Sequence, residues 1–138
     1  MSGEWIDTHL VFRQVHPNHV DGAMPNSVAF SPTPKDDDKL SVDDSAQVTA
    51  EGSWKHFTEK LGFKSVGTWA VSAGEIHGAG DLDLRKDPVV DAQDATKSNP
   101  AHCVIDFSRL TSKGQRKKKA QTLAIKASER GCQFLAAK

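Results

Sequence analysis

One cluster of side chains has the types and spacing of a metal site. His16, His19 and Asp21 place two imidazoles and a carboxylate within six residues of each other, and three such donors can hold a catalytic zinc ion. The chain has no second cluster at the usual ligand spacing, and its other histidines are scattered. The sequence therefore indicates no metal and no cofactor, and we interpret this segment as a turn whose polar side chains hold the backbone.

Arg13 is a charged residue inside an otherwise apolar segment. Such an arginine either points to solvent or lines a pocket, where its guanidinium can bind a phosphate or carboxylate with two hydrogen bonds. Glu75 lies among glycines that permit an exposed loop, and it is the only plausible catalytic carboxylate. If the protein is an enzyme of nucleotide chemistry, its candidate site residues are Arg13, His16, His19 and Glu75.

The order of several segments resembles a known family. Arg13 in an early strand is followed by Ala29-Phe30-Ser31-Pro32, by Leu40-Ser41-Val42 and then by a predicted helix. This order resembles the start of ADP-ribosyltransferase-like domains, including the RES type. Members of that superfamily bind NAD in a cleft of a split β-sheet, and some use an early arginine, a serine or tyrosine and a later glutamate. The present chain has no tyrosine and no Glu-x-Glu motif.

Other catalytic motifs are absent from the sequence. The chain has no Walker A loop, no Gly-x-Gly-x-x-Gly motif and no Gly-x-Ser-x-Gly elbow. Its two cysteines, Cys103 and Cys132, do not form a Cys-x-x-Cys pair, so we expect reduced thiols, with Cys103 in the core. Because no motif specifies a reaction, the sequence favours a protein that is not an enzyme.

The elements that must position these residues follow from hydrophobic periodicity and turn signals. Strands are predicted at His9–Val15, Ser27–Phe30, Leu40–Val42, Ser65–Ala73, Asp81–Arg85 and His102–Phe107. The chain from 132 to 136 either adds an edge strand or packs as a tail. A first helix begins after the N-cap candidate Thr49 and ends at Gly62, with Trp54, Phe57 and Leu61 on one face.

A second helix is predicted over residues 112–130. It carries an apolar stripe and ends at Gly131. The stripe consists of Ala120, Leu123, Ala124 and Ala127. A chain of 138 residues has the size of one domain. We therefore predict a single α+β domain over residues 1–138, in which a mostly antiparallel sheet of five or six short strands packs with one central and one C-terminal helix on one face.

Charge is divided unevenly along the chain, although its formal net charge is zero. Residues 1–108 contain 17 acidic and 9 basic side chains, whereas residues 109–138 contain 1 acidic and 9 basic ones. The basic residues are densest between Lys113 and Lys119. A field of one sign attracts polyanions, acidic proteins or a complementary copy of the same chain.

These cations occupy the first turns of the predicted second helix, where the helix dipole disfavours positive charge by a few tenths of a kcal/mol each. An anion would offset that cost, and three sources are open. They are nucleic acid, an acidic partner protein or second copy, and the domain's own acidic residues Asp36–Asp38, Asp43 and Asp44. A fourth alternative is a solvated surface that only keeps the protein soluble.

The sequence thus favours a small binding module whose basic helix start contacts a negatively charged partner, either nucleic acid or an acidic protein. The partner-binding candidates are Lys113, Arg116, Lys117, Lys118 and Lys119. The nucleotide-processing enzyme and a self-associating or toxin-neutralising protein remain as alternatives. No segment approaches the run of about 20 apolar residues that spans a membrane, and no signal-peptide pattern is present. We therefore expect a cytoplasmic protein without membrane contact.

Overall fold

A six-stranded antiparallel sheet organises the chain in a computed structural model that describes residues 5–33 and 38–136. The strands in chain order are β1 (Leu10–Val15), β2 (Val20–Asp21), β3 (Met24–Pro25), β4 (Lys39–Asp44), β5 (Gly67–Ser72), β6 (Asp83–Lys86), β7 (His102–Asp106) and β8 (Phe134–Leu135). The sheet order is β6-β7-β4-β1-β5-β8, and β2 and β3 form a separate hairpin. Every neighbouring pair in the sheet is antiparallel.

Within residues 5–33 and 38–136, three α-helices accompany the sheet. They are α1 (Ala50–Lys55), α2 (Ala73–Gly78) and α3 (Lys113–Arg130). A π-helical turn at His56–Lys60 continues α1, and 3-10 turns lie at Pro17–His19, Ser27–Phe30 and Ala95–Lys97. The predicted α+β fold class is confirmed. Within the described ranges, no helix is long and apolar enough to cross a membrane.

Helix α3 covers one face of the sheet; it begins at Lys113, one residue after the predicted start, and ends at Arg130. The Ser112 hydroxyl caps its start by accepting a hydrogen bond from the Gln115 amide at 3.1 Å. Gly131 ends the helix with φ +94°, a backbone conformation that residues with a side chain rarely adopt. The predicted stripe is buried and packs with the inward residues of β1 and β5, because small alanine side chains let a helix lie close to a sheet.

Helix α1 covers the opposite face of the sheet. Gln14 and Thr68 lie directly across from each other in the β1–β5 register and therefore share a face. The Gln14 amide donates to the Ser53 hydroxyl at 2.9 Å, and the Thr68 hydroxyl donates to the Ala50 carbonyl at 3.1 Å. The prediction that the helices cover one face is wrong, and β5 is accordingly buried at all six positions.

Two other local predictions differ from the structure. Ser27–Phe30 is a 3-10 turn and not a strand, because the Asn26 side chain accepts a hydrogen bond from the Val28 amide at 3.0 Å and caps the turn. The predicted first helix changes to π geometry after Lys55, and the Leu61 amide bonds to the His56 carbonyl at 3.1 Å.

Strands β1 and β4 diverge near the middle of the sheet. They are in register over two residue pairs, Val11 with Asp44 and Phe12 with Asp43, whereas β1 and β5 are in register over six. Arg13 spans the divergence: its Nη1 donates to the Ser41 carbonyl of β4 at 3.0 Å, and its Nε donates to the Ala29 carbonyl at 2.7 Å. The sheet is therefore open beside Arg13.

Candidate functional site

A cleft of about 220 Å³ lies where β1 and β4 diverge, on the face that α1 covers. Its floor comes from strands β1, β4 and β7, and its walls come from the π-helical turn and from the loop that joins β6 to β7. Small-molecule sites are concave, mostly apolar and equipped with a few polar groups. The walls and floor of this cleft have that composition.

The apolar wall follows from the π-helical turn. This turn places Phe57 on the cleft, and the chain then reverses at Gly62, where φ is +76°. The reversal brings Phe63 back against Phe57, with ring centroids 5.1 Å apart. Phe63 is 58% exposed, and Val89 across the cleft is 39% exposed. Exposed apolar side chains clustered at the mouth of a cleft are typical of ligand-binding sites.

A hydrogen-bonded network forms the polar floor. The Asn99 amide donates to Asp43 Oδ1 at 2.8 Å, and the buried Ser53 hydroxyl donates to Asp43 Oδ2 at 2.7 Å. Ser53 in turn accepts from the buried Gln14 amide, whose oxygen accepts from the Ser65 hydroxyl at 2.9 Å. Each of these polar groups has a partner, so the floor is rigid.

Lys97 stands on a wall that other residues fix in place. The Asp94 carboxylate caps the 3-10 turn at Ala95–Lys97 by accepting from the Thr96 amide at 3.0 Å. Hydrogen bonds from the Thr96 hydroxyl and amide lower the pKa of Asp94. His56 Nε2 lies 3.1 Å from the Thr96 carbonyl and joins this turn to the π-helical turn. The exposed Lys97 thus lines the cleft from an ordered loop.

Ser41 and His102 form a pair on the floor of the cleft. His102 Nε2 lies 3.0 Å from Ser41 Oγ, and His102 Nδ1 lies 2.7 Å from the backbone carbonyl oxygen of Asp87. A carbonyl oxygen only accepts hydrogen bonds, so the proton of the neutral ring resides on Nδ1. Nε2 is then the acceptor, and the Ser41 hydroxyl donates to it.

Of the predicted catalytic candidates, Arg13 lines the cleft and three do not. His16 and His19 lie just beyond the end of β1, with ring centroids 5.4 Å apart, and His16 Nδ1 accepts from the Asn18 amide at 3.0 Å. Burial lowers the pKa of His19, and the positive charges of His16 and Arg13 lower it further. The segment is the expected turn, held by its own polar side chains.

Glu75 lies elsewhere and has a structural role. It forms a capping box with Ser72 at the start of α2, and its carboxylate accepts two hydrogen bonds from Arg130 at 2.7 and 3.1 Å. Ser72 lies opposite Leu10 at the start of β1, whereas His16 follows the end of that strand, about 20 Å away at 3.3 Å per residue. The structure therefore does not bring Glu75 together with the other candidates.

The basic segment of α3 does not form a single surface. Arg116 pairs with Asp38 and also donates to the Leu110 carbonyl at 2.9 Å, and Lys119 donates to the Ala79 carbonyl on another side of the helix. Lys113, Lys117 and Lys118 are exposed. Successive helical residues point about 100° apart, so consecutive lysines spread around the axis.

The domain's own acidic residues account for part of this charge. Asp38 supplies the anion for Arg116, while Asp36 and Asp37 lie outside the described residues. Asp43 belongs to the floor of the cleft, and Asp44 pairs with His9 at 2.5 Å. Two of the five partner-binding candidates are thus engaged within the domain, and the other three, Lys113, Lys117 and Lys118, are exposed.

Burial disfavours the thiolate form of both cysteines. Cys103 is buried next to His102, and burial, followed by the negative charges of Asp44 and Asp43, raises its pKa to about 12. Burial also raises the pKa of Cys132. The prediction that Cys103 lies in the core is confirmed.

Sequence reasoning missed the residues that form the cleft. Ser41 and His102 are 61 positions apart and meet only because β4 pairs with β7, and Lys97 lies in a segment whose sequence indicates only a loop. The outward position of His102 on its predicted strand was the available signal. Without the strand order, nothing in the sequence indicates which residue it contacts.

No metal site is evident in the part of the chain that the structure describes, since no group of three or more His, Cys, Asp or Glu side chains there is placed to hold an ion. The chain matches no protein family model, no curated protein and no solved structure. Its function is therefore to be inferred from the chemistry of the cleft and of the basic helix.

Proposed function

We propose that the protein binds a small nucleotide-type ligand in the sheet cleft. One observation carries this proposal. The cleft has an aromatic wall, formed by Phe57 and Phe63, together with a floor and a loop that present hydrogen-bonding groups and Lys97. A planar ring packs on aromatic side chains, and an anionic group is attracted by a lysine. A nucleotide carries both parts in one molecule.

The charges that line the cleft favour an anion. Lys97 is positive and exposed, and Asp43 is the one negative residue among the lining residues. Arg13 also lines the cleft, but its Nε and Nη1 already donate to the carbonyls of Ala29 and Ser41. Both oxygens of Asp43 already accept hydrogen bonds, from Ser53 and Asn99, which makes this carboxylate a less available partner for a second cation. Arg13 beside a divergence of the sheet also agrees with the resemblance to ADP-ribosyltransferase-like domains. Glu75 is remote, so the proposal is ligand binding and not ADP-ribosyl transfer.

The π-helical turn gives independent support. π geometry is rare, and short π segments in helices are frequent at functional sites. Here the turn directs His56 and Phe57 to the cleft and allows Phe63 to return to it. The Leu61 amide bonds to the His56 carbonyl at 3.1 Å, so the π geometry displaces the residues that follow, including Phe63, relative to an uninterrupted α-helix.

Titration with AMP and with NAD⁺, followed by two-dimensional amide NMR, tests the proposal. We expect shifts concentrated at Phe57, Lys97 and His102. Lys97→Ala and Phe63→Ala should each weaken binding about tenfold, equivalent to about 1.4 kcal/mol. Lys64→Ala is the matched control, because Lys64 is exposed beside Phe63 but does not line the cleft. Binding that is absent, or equally affected by all three substitutions, would refute the proposal.

A second candidate function is contact with an anionic partner through α3. The observation that favours it is a surface depression of about 560 Å³ beside the helix start, where Lys113 and Lys117 lie with the apolar residues Val28 and Pro32. Val28 is 52% exposed. This combination suits an acidic protein segment better than nucleic acid, since no aromatic side chain is available there for base stacking.

The second candidate is tested with the three exposed lysines replaced by glutamine, K113Q/K117Q/K118Q. Loss of partner capture from a native lysate, with unchanged capture by the exposed-site control Lys64→Ala, would support it. Binding to a labelled DNA duplex that weakens steeply between about 50 and about 200 mM salt would instead identify nucleic acid. If the triple variant captures the partner and binds DNA as well as the unaltered protein does, these lysines bind neither an acidic protein nor nucleic acid. Light scattering at low salt tests the self-association that the sequence leaves open.

A further inference from the structure

We infer that Ser41 is a nucleophile activated by His102, and that the cleft hydrolyses an ester whose ring-bearing part packs on the aromatic wall. The inference rests on the proposed function for the placement of the ligand in the cleft. It goes beyond binding by assigning a reaction, the hydrolysis of a carboxylic ester, to two side chains on the floor.

The geometry satisfies the requirements for an activated serine. A nucleophile needs a base within hydrogen-bonding distance, and that base needs a third group that orients it. Ser41 Oγ lies 3.0 Å from His102 Nε2, and the Asp87 carbonyl oxygen lies 2.7 Å from Nδ1. The Asp87 carboxylate is also near, with Oδ2 3.4 Å from Nδ1. Asp87 is thus the positioning residue, and its backbone oxygen makes the closer contact.

The sheet fixes this arrangement. Ser41 lies opposite Val104 and Asp43 lies opposite His102, so Ser41 and His102 are diagonal neighbours on one face. The Asp87 amide donates to the His102 carbonyl at 3.0 Å, so the same residue holds both the backbone and the ring of His102. A base on a strand, locked by main-chain contacts, is preorganised for proton transfer.

Other nucleophilic groups near the cleft are less suitable. Ser53 is buried, and its hydroxyl is held between Gln14 and Asp43, so it cannot reach a ligand in the cleft. Cys103 is buried among core residues on the other face of the sheet. Ser41, by contrast, is exposed and lines the cleft. The nucleophile that the ligand meets is therefore Ser41.

In the first step, Ser41 Oγ attacks the ester carbonyl carbon while its proton passes to His102 Nε2. The carbonyl electron pair moves to oxygen, in a cleft where the exposed Lys97 supplies positive charge. When the pair returns, the bond to the alcohol oxygen breaks, and the alcohol leaves with the proton from Nε2. The acyl group is now an ester of Ser41.

In the second step, a water molecule attacks the same carbonyl carbon and gives a proton to His102 Nε2. The bond between the acyl carbon and Ser41 Oγ then breaks, and the proton returns to Oγ. The net reaction converts one ester and one water into one carboxylic acid and one alcohol. It needs no oxidant or reductant.

The inference is tested with p-nitrophenyl acetate as substrate and a fluorophosphonate as covalent label. We expect stoichiometric labelling that mass spectrometry maps to Ser41. Ser41→Ala should abolish the label and lower kcat/KM at least about a hundredfold, and His102→Gln should lower both labelling and rate similarly. Ser128→Ala is the control, because Ser128 lies on α3 at the other face of the sheet and should leave both unchanged. Hydrolysis that persists in Ser41→Ala, or label at another serine, would overturn the inference.

Binding measurements separate this inference from the proposed function. Ser41→Ala changes an exposed side chain, so its melting temperature should match that of the unaltered protein. If the unaltered protein binds AMP but neither hydrolyses the ester nor takes the label, the inference fails and the proposed function stands. Labelling and hydrolysis without AMP binding at the cleft would reject the proposed nucleotide-type ligand and retain the nucleophile.

Discussion

The two faces of the sheet differ in chemistry. The face under α3 is apolar, with the stripe of the helix packed on inward residues such as Val11 and Val71. The face under α1 carries a polar network from Gln14 to Asp43 and opens into the cleft. The core residues of the apolar face are buried, because burial of apolar surface is favourable in any direction of contact. The polar face needs each donor and acceptor matched, and it leaves room for a ligand.

This difference indicates which face maintains the fold and which one can change. Burial of apolar surface contributes about 25 cal/mol per Å², whereas an internal hydrogen bond contributes about 1 kcal/mol net. We therefore expect the α3 face to provide most of the stability. The α1 face can retain a cleft, an exposed Phe63 and a π-helical turn without unfolding the domain.

The largest effect is expected on the apolar face. Leu123→Ala removes a fully buried side chain and should lower the free energy of unfolding by about 2–5 kcal/mol. Urea denaturation measures this loss. Ile125→Ala on the same helix is the control, since Ile125 is 51% exposed and its loss should stay below about 1 kcal/mol. Equal losses at the two positions would contradict the assignment of the core to this face.

A smaller effect is expected in the polar network. Gln14→Ala leaves Ser53, Ser65 and Thr68 each without one partner and should lower the free energy of unfolding by about 1–3 kcal/mol. Gln133→Ala, which removes an exposed amide bonded to the Gly131 carbonyl, should have almost no effect. If Gln14→Ala lowers the free energy of unfolding as much as Leu123→Ala does, the two faces do not differ in their contribution to stability as we expect.

The ion pair that joins α2 to the end of α3 should depend on pH. Burial alone would raise the pKa of Glu75, but Arg130 and the Ser72 amide lower it below its ordinary value of 4.5. The carboxylate therefore stabilises the fold above about pH 4.5, and this contribution is lost as the pH falls through the lower value of the folded state. Glu75→Gln should cost about 1 kcal/mol at neutral pH and progressively less in acid.

Thermal unfolding as a function of pH measures the Glu75 contribution. In an Arg130→Ala background, the same Glu75→Gln substitution should have a much smaller effect, because the charged partner is absent. A full effect of Glu75→Gln without Arg130 would assign the contribution to the capping box alone.

The smallest effect is expected at the start of α3. Lys113→Glu replaces a cation in the first turn, where no acidic residue is present, and should stabilise the domain by about 0.3–1 kcal/mol at low salt. Lys126→Glu, toward the other end of the helix, should act in the opposite direction. Both differences should shrink as salt is added. Shifts of the same sign in both variants would contradict the dipole explanation.

The apolar face could be predicted from the sequence, and the cleft could not. The apolar residues of the α3 stripe repeat with the helical period, so the sequence alone predicts that Leu123 and the rest of the stripe are buried. The Ser27–Phe30 turn depends on a cap from Asn26, whereas the sequence of residues 27–30 by itself predicts a strand. Ser41 and His102 meet through the pairing of β4 with β7, and neither residue carries a local signal of that pairing.

The divergence of β1 from β4 also has a mechanical consequence. It divides the sheet into two three-stranded blocks, β6-β7-β4 and β1-β5-β8, which share a ladder of two residue pairs and the Arg13 guanidinium. We expect the sheet to open first between β1 and β4 under force or thermal fluctuation. Every other junction between its described long strands has more paired residues. Arg13 thus links the two blocks across the junction of β1 and β4. Amide hydrogens beside this junction should exchange with solvent before those inside either block.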